Sequence, residues 1–546
     1  MNTTATPRSK TAALIGRDDS GPMPMIYPMA PETSNARSDT PPAQPVGRHL
    51  SRPAIVAALI LLYPLGLVWL FKSPRPRRWE KVAAAIGFLP LFAVAVLLVL
   101  HPYWDFGGGM TLSGFRFDFA KGGSQFGRLE EHRRSQPSLD AAGYSPSREA
   151  LRLAWSDFRG PRRDGVVAES DISLDWQVAP PKELWRQPVG EGYASFVLGN
   201  GRAYTIEQRR DREAITCYDP LTGRELWVYD YPASFEETLG GNGPRSTPTL
   251  RDDRLYVLGA AGDLNCLNAI TGRRIWHRNI LTEWAAENLT WGMSASPLVL
   301  EDKVVVTSSG KAGGSIIALQ PATGELIWQT NAGQQAYSSP ILVDLAGRRQ
   351  ILNLAATSLN GIDPATGDVL WSYPWETQYG INCSQPIPAG DDRVFVSSGY
   401  GRGSALVRIE SKDGRLNPHE VWSNTRLKSK FASSVIHDGF IYGLNERVLV
   451  CLDLNTGERR WRGSRYDYGS LLLVGDHILV LGERGRLALV KADPKRFVER
   501  GAMQVFEGRT WNNMALSGGL LFARNHREMV CYDLREPRTA PPTRTR

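Results

Sequence analysis

One phrase recurs along this chain, and it limits the fold more than any other feature. CYDPLTGRELW from Cys217 returns as CLNAITGRRIW from Cys266, ALQPATGELIW from Ala318, GIDPATGDVLW from Gly361 and CLDLNTGERRW from Cys451. In the first copy Asp219 can accept hydrogen bonds from backbone N–H groups just ahead of it, Pro220 presets φ, and Gly223 supplies the positive φ that closes a turn. Each phrase therefore predicts a strand, a tight turn and a second strand. The Trp four residues after the Gly falls on that second strand, where its ring can fill the space between two packed sheets.

The surroundings of the phrase keep one order, as in TPTLRDDRLYVLGAAGDLNCLNAITGRRIWHRN from Thr247. An apolar strand, a turn at Asp252-Asp253, a strand, a turn at Gly262-Asp263 and two more strands make four antiparallel strands per repeat. The glycines at 223, 272, 324 and 367 return about every 40 to 50 residues, the length of one propeller blade. No 3.6-residue apolar periodicity supports a solenoid of helix pairs.

Degenerate copies complete the count. ALVRIESKDGRLNPHEVW from Ala405 keeps the frame with an enlarged turn, LALVKADPKRFVERGAMQVF from Leu487 lacks both TG and Trp, and EMVCYDLREP from Glu528 begins a copy that is never finished. KELWRQPVG from Lys182 carries Trp185 and has no blade of its own. Pairing it beside residues 530–534 closes the ring and leaves no open edge. The expectation is an all-β fold: an eight-bladed β-propeller of four-stranded antiparallel blades over residues 182–535.

The chain ahead of the ring has a different character. Residues 1–52 are rich in Pro, Ser, Thr and Ala and read as a disordered tail, as do residues 536–546. Residues 53–71 and 82–100 are charge-free apolar stretches, each about 28 Å long as a helix, and predict an N-terminal two-helix transmembrane hairpin within residues 53–104. The basic loop 72–81 predicts a cytoplasmic turn and an extracytoplasmic propeller on the periplasmic side of a bacterial inner membrane. Residues 105–181 read as a linker ending in a strap. Of the net charge of +8, residues 1–104 carry 11 Lys/Arg against 5 Asp/Glu, which leaves +2 on the other 442 residues. That distribution points to topology and anionic headgroups, with no nucleic-acid partner.

Cys217, Cys266, Cys451 and Cys531 occupy equivalent places in four different blades, too far apart in a wide ring for a disulfide to span. Buried free thiols are expected. No C-x-x-C pair and no zinc spacing occurs.

The D-x-x-T-G-x-x-x-W phrase resembles the tryptophan-docking repeat of the pyrroloquinoline quinone (PQQ)-like β-propellers. That family includes quinoprotein alcohol dehydrogenases and the non-enzymatic propeller subunit of the outer-membrane β-barrel assembly machinery. SDFRGPRRDGVV from Ser156, with GNGPRSTPTL, LKSKFASSVI and RTWNNMALSGG, resembles a bacterial branch of the family with some membrane-anchored members. The FRGPRRDG segment is read first as a strap of turns and salt links leading into the ring. A ligand loop acting through Arg159, Arg162 and Arg163 is the alternative.

Blades set their first strand against the central channel, so residues approaching that strand share a mouth. Aligning the copies gives Tyr193, Pro244, Ser294, Tyr337, Cys383, Lys430, Asp467 and Trp511 at the head of each approach. Arg245 and Lys430 bring positive charge, Tyr337, Tyr468 and Trp511 flat apolar faces, and Gln385, Asn512 and Asn513 amides. Arg245, Tyr337, Gln385, Lys430, Trp511 and Asn512 are therefore the candidate cofactor-binding residues, and a planar anion is the ligand they would suit. The resemblance implies PQQ with calcium if the site is enzymatic. Quinoprotein dehydrogenases of this kind resemble one another in a calcium set, a catalytic Asp and often an adjacent-Cys disulfide. Here there is no adjacent Cys pair, and Glu207, Glu483 and Asp467 are not singled out as ligands by their spacing. The favoured expectation is thus a non-catalytic binding or scaffolding module partnered by the membrane bilayer and another envelope protein. The alternative is a PQQ-dependent dehydrogenase oxidising alcohols or sugars.

Overall fold

A computed structural model describes residues 77–79, 82, 102–106, 112–117, 123–136, 143–167, 172–308 and 315–536. The chain divides into two compact units, residues 1–92 and 93–546, and the ring lies in the second. The stretches 53–71 and, apart from Val82, 82–100 lie outside the described residues, as do both tails but for Glu536. Among the described residues no helix is long and apolar enough to cross a membrane.

Among the described residues a two-stranded sheet, Pro102–Phe106 with Leu112–Phe117, precedes eight blade sheets, seven of four strands and one of five. The first blade is Val197–Gly199, Arg202–Arg209, Arg212–Tyr218 and Glu225–Pro232, every strand antiparallel to its neighbour. In the third, Val304–Thr307 and Ile316–Leu319 are buried at every position, because both faces of a middle strand meet adjacent blades. The eighth blade is built from both ends of the repeat region. Ala515–Ser517, Leu520–Arg524 and Glu528–Asp533 are completed by Lys182–Pro188, with Trp185 opposite Cys531 and Glu183 opposite Tyr532. The ring closes as expected from the unpaired KELW segment.

What joins one blade to the next is the Trp of the phrase. The indole N–H of Trp185, Trp227, Trp276, Trp328, Trp422 and Trp461 donates to a turn carbonyl of the following blade at 2.7 to 3.2 Å. In five of these contacts the ring lies over the Gly of that turn: 223, 272, 324, 367 and 457. A Cβ added there would stand 2.6 to 2.9 Å from ring atoms, and φ is 68° to 83°. Glycine is thus required twice, for the turn and for the room. Opposite the Trp stands a small residue in most blades, Cys217, Cys266, Ala318, Gly361 and Cys451 among them. The five cysteines are free.

Two blades differ from the expectation. The enlarged turn of the fifth is instead a pair of ten-residue strands, Gly403–Lys412 and Arg415–Asn424, closed by Asp413-Gly414 with both φ positive. Asp-Gly is a two-residue hairpin signal, so the extra residues lengthen strands and not the loop. This hairpin carries its tip beyond the place of a TG turn, and Trp371 of the fourth blade donates to Gln350 Oε1 at 2.5 Å instead of to a neighbouring turn. The seventh blade lacks a Trp. There Trp176, from ahead of the ring, packs over Gly501 of the outer strand and joins the core that holds Trp185 and Phe522.

The stretch read as a linker contains folded structure. Helix Gly123–Ser135 buries Phe126 and Leu129 and ties itself to the ring. Gln125 Nε2 donates to the carbonyls of Val189 at 3.2 Å and His526 at 2.6 Å, and Arg133 pairs with Glu225 at 2.8 Å. Residues 155–167 form the strap. Trp155 bridges Leu198 of the first blade, Ser156 accepts from Leu250 of the second, and Val166–Val167 adds in parallel to Ser470–Val474 of the seventh. Arg163 donates to the carbonyls of Ser296 and Pro297 in the third blade, and Arg159 to that of Ser434 in the sixth. Arg159 and Arg163 are buried, and burial pulls both guanidinium pKa values down to about 10. Only Arg162 faces solvent. The segment is therefore a plug across one end of the channel.

Trp185→Ala removes the indole at the closure and should destabilise the ring by about 3 to 5 kcal/mol, read as a lowered urea midpoint. His526 offers a pH test. Burial, and then the nearby Arg527, pull its imidazole down to about 3. Below pH 6.5 the unfolded chain takes a proton that the folded chain refuses, so this group lowers stability progressively down to about pH 3. In His526→Asn the acid side of the stability curve should be flatter over that window in urea titrations.

Candidate functional site

The innermost strands run from the open mouth towards the strap, so the residues preceding them stand around a cavity above it. The cavity is about 180 Å³, lined mainly by apolar surface, with Phe158 of the strap among its walls. Arg245, Tyr337, Lys430 and Trp511 line it, together with Tyr193, Cys383 and Asn513 from the aligned approaches. Gln385 and Asn512 do not. Gln385 is buried, with its side-chain Nε2 donating to the Ser339 carbonyl of the fourth blade at 3.4 Å, and Asn512 Nδ2 donates to the carbonyls of Gly192 at 3.3 Å and Ala194 at 2.9 Å. Both amides fasten neighbouring blades to each other, a use that alignment of the copies cannot separate from facing the mouth.

The structure adds walls that the repeat does not announce. Trp291 comes from the long connection between the second and third blades, Tyr400 from the turn inside the fifth, and Phe431 from the approach beside Lys430. Phe431 is visible in KFASS next to Lys430. Trp291 and Phe158 lie outside the repeat frame, so only the fold brings them in.

These groups are largely engaged with one another. Arg245 donates to the carbonyls of Gly243 at 2.5 Å and Gly241 at 2.6 Å, and its guanidinium lies 4.8 Å from the Phe235 ring and 5.4 Å from that of Tyr193. Burial lowers its pKa to about 10. Trp511 has the Arg509 guanidinium over its ring at 4.5 Å, Phe431 at 4.9 Å and Tyr193 at 5.4 Å, and its N–H donates to Glu483 at 2.8 Å. Lys430 sits among Tyr400 at 4.9 Å, Tyr468 at 5.1 Å and Phe431 at 5.5 Å, and burial depresses its pKa. Burial pushes the Cys383 thiol up to about 12, so it stays protonated and unreactive at neutral pH.

PQQ and calcium need a free stacking face and a carboxylate set, and the residues present do not fit them. Trp511 is faced by Arg509. The carboxylates considered as ligands are dispersed: Glu483 accepts from Trp511, Glu207 pairs with Arg209 and accepts from the Gly190 N–H at 3.0 Å, and Asp467 pairs with Arg465 at 2.6 Å. Among the described residues no three His, Cys, Asp or Glu side chains gather as metal ligands would.

Comparison with known proteins agrees with this architecture. A profile described as outer membrane protein assembly factor BamB matches residues 176–349 and 211–463. The BamB of Shewanella oneidensis is 24% identical over 378 residues, 57% of this chain and 89% of that protein. The quinoprotein ethanol dehydrogenase of Pseudomonas putida is 26% identical over 165 residues, 27% of this chain and 26% of that one. In structure, the quinohemoprotein alcohol dehydrogenase of Comamonas testosteroni superposes with a TM-score of 0.53 at 12% identity, covering 76% of this chain and 86% of that chain, which establishes a shared fold. With a ring of eight docked blades and a family profile that spans more than half its length, the chain belongs to the BamB family of PQQ-like β-propellers.

Proposed function

We propose that the chain is a non-catalytic scaffold of the bacterial envelope, a propeller tethered through residues 53–71 and 82–100 to the periplasmic face of the inner membrane, where it binds another envelope protein. The observation that carries this reading is the state of the mouth: Arg245, Arg509, Trp511 and Glu483 are committed to bonds within the ring. Such a surface, with its charged groups held by one another, is suited to recognition. The strap supports the same reading, because it closes the opposite end of the channel. Relatives named as outer membrane protein assembly factors point to an envelope protein as the partner. Within this reading the cavity is a recognition pocket. Tyr337 and Phe431 offer apolar walls to an aromatic side chain, and Lys430 offers a cation to a neighbouring acid.

Cross-linking the full-length protein in native membranes, followed by detergent extraction and mass spectrometry, should return one envelope protein in near-stoichiometric amount. Lys430→Ala should weaken its retention by roughly tenfold, the size of one charged hydrogen bond. No protein above background overturns the proposal. Incubating the full chain with PQQ and Ca²⁺ tests the dehydrogenase reading: we expect no quinone absorbance after desalting and no dye reduction with alcohols or sugars. Either signal would replace the scaffold with an oxidoreductase.

A further inference from the structure

We propose that the outer rim of the second and third blades is a docking surface for an acidic amphipathic helix of a partner protein. It rests on the scaffold reading and adds to it a surface on the outermost strands, apart from the mouth. The outermost strand of each blade carries one extra residue at the same place. In the first blade Cys217 pairs with Trp227 and Tyr218 with Glu225, so Leu226 stands outside the ladder. The same shift recurs in the other seven blades. The extra residue is apolar in six of the eight; in the sixth and seventh it is Arg460 and Arg500. A bulge of this kind re-aims a side chain and breaks the even row of N–H and C=O groups that an added strand would need. Whatever covers the rim must therefore meet it through side chains, as a helix does.

The first blade shows this place occupied, and by a helix of the chain itself. Leu226 is 5% exposed. Arg133 of helix Gly123–Ser135 donates to the carboxylate of Glu225, the residue before it, at 2.8 and 2.9 Å, and Gln136 Oε1 accepts the Glu225 backbone N–H at 3.0 Å. The second blade presents the same place uncovered and with the charge reversed. Ile275 is 44% exposed, and where the first blade has Glu225 the second has Arg274. Arg274 is exposed, donates to the Tyr229 hydroxyl at 3.1 Å, and has no carboxylate partner among the described residues. Other charged residues at this position are acids already engaged, Glu183 by Arg186, Glu420 by Ser423 and Tyr373, and Glu499 by Arg486, or, in the sixth blade, Arg459 beside a bulge that is itself cationic. Among the described residues an exposed apolar bulge next to a cation without a carboxylate partner occurs in the second blade alone.

The third blade extends the apolar surface. Trp276 lies over Gly324 and donates to the Pro321 carbonyl at 3.0 Å, so the turn of the third blade abuts the rim of the second. Just past that turn stand Leu326 and Ile327, 47% and 37% exposed. Glu325, the acid between turn and stripe, accepts from Thr323 Oγ1 at 3.1 Å. Ile275, Leu326 and Ile327 thus form an apolar stripe on a fixed frame, with Arg274 at its side. The occupant it fits is a helix that lays apolar residues on the stripe and sets a carboxylate where Arg133 stands on the first blade.

Photocross-linking of the full chain in native membranes tests this. Benzoylphenylalanine replaces Leu326 in one preparation and Phe431, at the mouth, in another, and the cross-linked peptides are sequenced by mass spectrometry. Position 326 should capture a segment of another protein with apolar residues at helical spacing and Asp or Glu beside them. Arg274→Glu should lower that yield roughly tenfold, the size of one charged hydrogen bond, and Arg274→Lys should keep most of it. Both variants should leave the urea midpoint unchanged, because Arg274 is exposed. A yield that Arg274→Glu does not alter overturns the docking surface. So does capture of a second copy of this chain, of lipid alone, or of a segment without that pattern. Capture from position 431 with none from 326 overturns the rim surface and leaves the scaffold reading standing. No capture from either position overturns both.

Discussion

The contact between a Trp ring and a turn glycine of the next blade holds this molecule in one shape. It fixes distance, because the ring stands where a Cβ would otherwise be. It fixes direction, because the indole N–H reaches one turn carbonyl. The same contact made around a ring leaves each sheet no independent orientation. Closure follows from it: Trp185 sits over Gly223 and donates to Pro220, so the blade assembled from both ends of the repeat region docks like any other. Where the contact is missing other side chains take its place: Trp176 packs over Gly501, and in the fourth blade, where Trp371 turns to Gln350 of its own sheet, Tyr373 donates to Glu420 of the fifth.

A rigid ring makes its two ends available for different uses. One is sealed by the strap, whose two buried arginines reach carbonyls of the third and sixth blades across the channel axis. An arginine suits this role because its planar fork can reach backbone carbonyls without a carboxylate for each N–H. The other end stays open and gathers aromatic rings that hold each other in place. A mouth made this way is stiff and apolar, with charge confined to a few committed groups.

Much of this was legible from the residues. Strand order, blade number, the closing strand and the buried thiols all follow from local signals repeated at a fixed spacing: Asp or Asn ahead of a turn, Gly at positive φ, Trp four residues on. The site was legible in part. Arg245, Tyr337, Lys430 and Trp511 reach the cavity because the repeat places them at equivalent heights. Gln385 and Asn512 share that height and turn into the wall, since a buried amide finds carbonyls there and water is excluded. The role of Arg245 changed more than its place, because its donors are taken by Gly241 and Gly243.

The sequence by itself determined the ring, because a propeller is written in contacts between near neighbours and each blade carries its own instructions. Only the tertiary structure decided what fills and surrounds it. Trp176, Phe158 and Trp291 come from segments outside the repeat, and the helix Gly123–Ser135 lies where composition suggested a linker. Their positions depend on residues hundreds of places apart meeting in space, as when Arg159 reaches Ser434. Local propensity holds no record of such meetings; the packed core, and the need of each buried polar group for a partner, select them.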